Sequence, residues 1–145
     1  RYSTGAVDAY MGHVRQNAAD TMRACIDGLP DGRHEAVDCL DSGAKIRCSV
    51  TITGGEAHVD VTGTDSQLEG NLNAPKAVVM AAVLYIFRCM VDKPIPLNAG
   101  CLEPITITIP EGSLLAPTHS PGGACLLYTY PSPRDQRGSR LPSSA

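Results

Sequence analysis

The sequence contains no tryptophan and a single phenylalanine. Any core it forms must therefore be aliphatic, and a hydrophobic content of 43% is enough to build one. Positive charge is also short. Twelve Lys and Arg against fifteen Asp and Glu give a formal net charge of -3 and a pI near 5.7, which argues against a nucleic-acid-binding protein. Long apolar runs are missing as well. The longest, Ala77 to Phe87, is too short for a membrane span, which needs about 20 residues. Six cysteines (Cys25, Cys39, Cys48, Cys89, Cys101 and Cys125) are scattered, with no CxxC and no Cys/His pair at zinc spacing. Free, mostly buried thiols in a reducing cytoplasm are the expectation, although Cys39 and Cys48 could face each other across a sheet. No metal site is expected in this chain. At 145 residues the chain is at most one ordinary domain. With no initiator Met at Arg1, it is expected to be a piece of a longer protein.

What the sequence does contain is centred on residues 70–115. Ala77 to Phe87 is apolar throughout and bounded by Lys76 and Arg88, as a buried helix would be. Asn73 is its expected N-cap and Pro75 falls in its first turn. Pro94 and Pro96 cannot extend it. Asn98-Ala99-Gly100 reads as a turn that uses the positive-φ tolerance of Asn and Gly. Ile105, Ile107 and Ile109 then alternate with Thr106 and Thr108, which predicts a strand with one buried face.

Upstream, Arg1 to Gly5 reads as a loop. Val7, Met11, Val14, Ala18, Met22, Cys25 and Leu29 recur in steps of four and three, which predicts an amphipathic helix ended by Gly28 to Gly32. His13 on it has no second ligand at i+4 and reads as a surface residue rather than a metal ligand. His34 to Leu40 suggests a short strand. Two alternating runs around Gly54-Gly55 give the clearest hairpin signal in the chain. Its polar face carries Arg47, His58 and Asp60, and a solvated sheet face explains these better than acid–base chemistry does. The loop from Gly63 to Asn73 could cradle an anion with backbone N–H groups, but it lacks the GxxxxGK[ST] pattern. The expected fold is α+β, a partial domain over residues 1–124: an amphipathic helix, an antiparallel hairpin-based sheet, a buried helix and a further strand. Residues 125–145, with three prolines, three arginines and no apolar period, are expected to be a disordered tail. The strings CLLYTYPSPRD and GSRLPSSA resemble the in-frame translation of a sequencing adaptor.

Four blocks carry a family resemblance: AYMGHVRQNAADTMRACIDGLPDG (9–32), VDVTGTDSQLEGNLNAP (59–75), AAVLYIFRCMVDKPIPLNAGCLEP (81–104) and PEGSLLAP (110–117). Together they make the first 116 residues resemble the hydantoinase B/oxoprolinase family. The Gly-Asn-x-Glu-Thr-Ser-Gln block that usually follows PEGSLL is replaced here by a poorly matching stretch. The family's upstream His- and Asp-rich blocks and its ATP-binding A-type region are absent from these 145 residues. Catalysis by this piece alone is therefore not expected, and its catalytic residues cannot be named from it.

For the complete protein the resemblance implies a cytoplasmic, ATP-dependent cyclic-amide hydrolase with 5-oxo-L-proline as the foremost substrate; a hydantoinase or a ketone carboxylase subunit of the same family is the alternative. It also implies ATP and a divalent metal as cofactors, an A-type ATP-binding subunit or domain as partner, and an oligomeric state. An unstrained lactam is a poor electrophile, and phosphorylating its oxygen supplies a leaving group. Asn73, Asn98 and Gly100 are the candidate substrate-binding residues, because their loops flank the apolar helix. Capping and turn roles explain the same residues. The alternative from another class is a non-catalytic module that docks a partner through the apolar helix and the Ile105–Ile109 strand.

Overall fold

A computed structural model describes residues 3–70, 72–92 and 98–118. Pro94, Pro96, Asn71 and the expected tail at 125–145 lie outside the described residues. The elements are α1 (Thr4–Asp27), β1 (Gly32–Cys39), β2 (Lys45–Thr53), β3 (Glu56–Asp60), α2 (Lys76–Cys89), a 3-10 helix (Ala99–Leu102) and β4 (Ile105–Thr108). The architecture is α+β, as expected.

Helix α1 starts earlier than its sequence suggests. Ser3 takes the N-cap position and its hydroxyl accepts the Ala6 N–H at 3.3 Å, so the stretch read as a loop already enters the helix. At the other end the Leu29 N–H donates to the Ile26 carbonyl, and Pro30 stops further winding. The buried face is Ala18, Ala19, Met22 and Ile26. Val7 and Met11, expected on that face, are exposed, because residues 4–13 lie outside the packed region.

The sheet has the order β1-β2-β3-β4. Gly54 and Gly55, with φ of 54° and 79°, close the β2–β3 hairpin, and a two-residue loop with both φ positive suits the right-handed twist of the paired strands. Strand β4 pairs with β3 in parallel, so the sheet is mixed rather than purely antiparallel. A crossover containing α2 and the 3-10 helix returns the chain to run alongside β3, and a parallel partner requires such a connection. Cys48 stands opposite Ala36 and Cys39 opposite Lys45, so these two cysteines do not meet.

One cluster of buried residues joins Met22 and Ile26 of α1 to Ile52 and Val59 of the sheet and to Val83 and Phe87 of α2. A second gathers Val61, Ala74, Val79, Leu114 and Leu115. Helix α2 buries one stripe, Val79, Val83 and Phe87, while Met80, Tyr85 and Ile86 are exposed. The expectation of a helix buried all round therefore holds for one face within this chain. Strand β1 is exposed along its whole length.

Candidate functional site

Asn73 does not cap α2. Pro75 holds that position, with no side-chain cap. The Asn73 amide instead closes the preceding loop. Its Oδ1 accepts the Leu68 N–H at 2.8 Å, and its Nδ2 donates to the carbonyls of Leu68 at 2.8 Å and Gly70 at 3.2 Å. A side chain with both donor and acceptor ends can do this, whereas a carboxylate cannot.

Asn98 and Gly100 meet each other elsewhere in the fold. Asn98 Oδ1 accepts the Gly100 N–H at 2.8 Å, capping the 3-10 helix, and its Nδ2 donates to the Val14 carbonyl of α1 at 3.3 Å. Gly100 does not adopt a positive φ, which corrects the reason expected for it. It is required because a Cβ there would overlap the Arg15 carbonyl. Glu103 pairs with the Arg15 guanidinium beside the same contact. Among the described residues the hydrogen bonds of Asn73 and those of Asn98 and Gly100 share no partner. Asn73 belongs to the second cluster's side of α2, and Asn98 and Gly100 are docked on α1.

The loop after β3 is sewn to its surroundings. The N–H groups of Thr64, Asp65, Gln67 and Leu68 donate to Val61, Lys45, Gly112 and Asn73 respectively. These four donors are consumed within the protein, so they are not available to the anion cradle that the loop could have formed. The loop also forms a bridge between Ser66 and Ser113, and Leu114 donates to the Asp65 carbonyl at 3.0 Å. The blocks 59–75 and 110–117, distant in sequence, thus lie side by side.

On the outer sheet face, His58 Nε2 lies 2.8 Å from Thr108 Oγ1. Hydrogen bonds from the Thr62 hydroxyl and N–H hold the Asp60 carboxyl below its usual range. Among the described residues no hydrogen bond joins Asp60 to the His58 ring. Glu35 is bracketed by Arg47 at 2.9 Å and Arg33 at 2.7 Å. The Arg47 hydrogen bond, followed by the charges of Arg33 and Arg47, pulls its carboxyl down. This face is solvated and self-compensated, and it offers no nucleophile paired with an oriented base.

The helix side carries a groove of about 480 Å³ lined by Asp20, Thr21, Ala24, Cys25, Met90, Val91 and Asp92. Its thiol is unsuited to attack. Cys25 Sγ donates to the Met90 carbonyl at 3.3 Å, and burial, then the charge of Asp92, push its pKa up. No sequence signal marked this groove, because it depends on where α2 ends against α1. Among the described residues no group of three or more His, Cys, Asp and Glu could hold a metal ion, so these residues do not fit the divalent metal that the family resemblance implies. Nor are the N–H groups of Thr64, Asp65, Gln67 and Leu68, already bonded within the protein, available to a nucleotide phosphate. No helix among the described residues is long and apolar enough to cross a membrane.

The hydantoinase B/oxoprolinase family model matches residues 1–130. The chain belongs to that family. 5-oxoprolinase 1 of Arabidopsis thaliana is 41% identical over 134 residues, covering 81% of this chain and 11% of that protein. The 5-oxoprolinase of Saccharomyces cerevisiae is 37% identical over 122 residues, covering 80% of this chain and 10% of that protein. A crystal structure of an ATP-dependent caprolactamase from Pseudomonas jessenii is similar at a TM-score of 0.71 and 27% identity, over 86% of this chain and 23% of that one. The chain thus spans about a tenth of the length of the 5-oxoprolinases it matches and about a quarter of the caprolactamase chain. As a hydantoinase B/oxoprolinase segment, it contributes the strand-rich stretch and the two helices described above.

Proposed function

We propose that this chain is a segment of an ATP-dependent hydrolase of cyclic amides, with 5-oxo-L-proline as substrate and L-glutamate as product. The observation that carries this reading is the 37–41% identity to two 5-oxoprolinases over about four fifths of the chain. The likeness to an ATP-dependent caprolactamase adds a relative of a second kind, with the same local fold. In this reading the segment supplies scaffold, and the reacting groups are held by other parts of the protein. The cofactors are ATP and a divalent metal, neither of them bound here, and the partner is an A-type ATP-binding subunit or domain. The complete protein is oligomeric and cytoplasmic.

The wall facing substrate is placed at the two loops that Asn73 on one side and Asn98 with Gly100 on the other hold in shape. Their bonds to backbone groups make them positioning residues. The test is turnover by the full-length parent. ATP and 5-oxoproline should yield ADP, phosphate and glutamate in equal amounts. A parent that hydrolyses no ATP with any lactam or hydantoin overturns the proposal.

A further inference from the structure

We propose that the outer face of α2, formed by Ala82, Tyr85, Ile86 and Cys89, is an internal packing face of the parent polypeptide, covered by flanking chain outside these 145 residues. The four positions follow i, i+3, i+4 and i+7, so they form one stripe along the helix. All four are exposed, Tyr85 at 71% and Ile86 at 59%. The stripe Val79, Val83 and Phe87 is already buried, Val83 and Phe87 in the cluster that includes the sheet and Val79 in the second cluster. Helix α2 therefore carries two apolar stripes, with charge only at Lys76 and Arg88. A helix apolar on both sides belongs inside a protein, with packing on each.

The occupant follows from length and from chemistry. The caprolactamase chain that shares this fold is covered to 23%, and the 5-oxoprolinases to 11% and 10%. Even the shorter of these chains holds more than three quarters of its length beyond the matched part, which is ample to cover one helix face. The outer stripe is also free of charge, like a core, whereas interfaces between separable subunits carry polar rims and more polar area. Flanking chain of the same polypeptide fits that better than a separate A-type part or a second copy. This inference rests on the chain being a segment of a longer protein and on no catalytic activity.

Cys89 is a native reporter on the stripe. The parent polypeptide, free of any separately encoded subunit and dilute, is treated with N-ethylmaleimide, and Cys89 modification is followed by peptide mass mapping. In the native protein Cys89 should react slower than in denaturant by roughly a hundredfold or more, since modification must wait for local opening. Reaction at the denatured rate overturns the proposal. So does protection that appears only when an A-type part is added, or only at concentrations where the protein self-associates. A parent that turns over 5-oxoproline yet labels rapidly at Cys89 would lose this inference and keep the proposed function. A protected but inactive parent would do the reverse.

Discussion

A methyl group on Gly100 would stand 2.9 Å from the carbonyl carbon of Arg15 and closer still to its oxygen. At Gly100 the 3-10 helix and α1 therefore touch backbone to backbone. Backbone atoms cannot swing away as a flexible side chain could, so Gly100→Ala must separate the two elements. Overpacking of this kind costs about 1–3 kcal/mol, occasionally more. Gly100→Ala in the full-length parent should lower the denaturation midpoint accordingly, with an unchanged m-value. A variant as stable as the original would mean that the contact is looser than described.

Asn98 fastens the same junction. Replacing it with Ala removes the cap on the Gly100 N–H and the bond to the Val14 carbonyl. Losing such a cap costs about 0.5–2 kcal/mol. Asn98→Ala in the parent should therefore lose stability and, because its loop holds part of the proposed wall facing substrate, raise KM in the folded fraction while kcat stays as it was. A raised KM at an unchanged melting temperature would instead put the Asn98 amide against substrate.

Some of this was legible in the sequence. The hairpin was written in Gly54-Gly55 between two alternating runs, because turn chemistry and strand period are local properties. The helical period of α1 was visible for the same reason, and α2 was visible as an apolar run bounded by Lys76 and Arg88. The reach of their burial was not, since Val7, Met11 and the outer stripe of α2 are apolar whether or not a neighbour is present. The parallel pairing of β4 with β3 was hidden, because a Thr/Ile alternation reads the same in either direction. The site residues show the limit most clearly. The neighbourhoods of Asn73 and Asn98 single them out, but an Asn that caps, one that clamps a loop and one that binds ligand look alike in sequence. The need for glycine at 100 depends on the carbonyl of Arg15, which comes near only once the chain has folded.

Asn73 offers a sharper chemical test. Asn73→Asp keeps the size and loses both N–H donors, setting a carboxylate beside the carbonyls of Leu68 and Gly70. Leaving the part-buried Leu68 carbonyl unsatisfied costs about 1–3 kcal/mol, more when a charge faces it. The loop between Leu68 and Asn73 should open, and limited proteolysis should cut there well before the rest of the chain. Asn73→Ser, whose neutral hydroxyl can still donate or accept, should be intermediate. If both variants resist cleavage like the original, the clamp does not hold the loop.

Glu35 sets a pH dependence whose sign can be worked out. Its carboxyl is pulled below the ordinary value, first by the hydrogen bond from Arg47 and then by the charges of Arg33 and Arg47. A group with a depressed folded pKa contributes stability above its unfolded pKa and loses it as pH falls through the folded value. The parent should therefore be fully stabilised by this cluster near neutral pH and lose that contribution on acidification below about pH 4.3, the ordinary Glu value. The cluster is solvent-facing, so the effect should be small and should shrink as salt screens it. Glu35→Gln should flatten this part of the acid limb and should reduce its salt dependence. Asp60, held down chiefly by Thr62, would keep a separate acid-sensitive component in that variant. An acid limb identical in Glu35→Gln and the original protein, at both low and high salt, would show that the Arg33–Glu35–Arg47 cluster contributes nothing to folding.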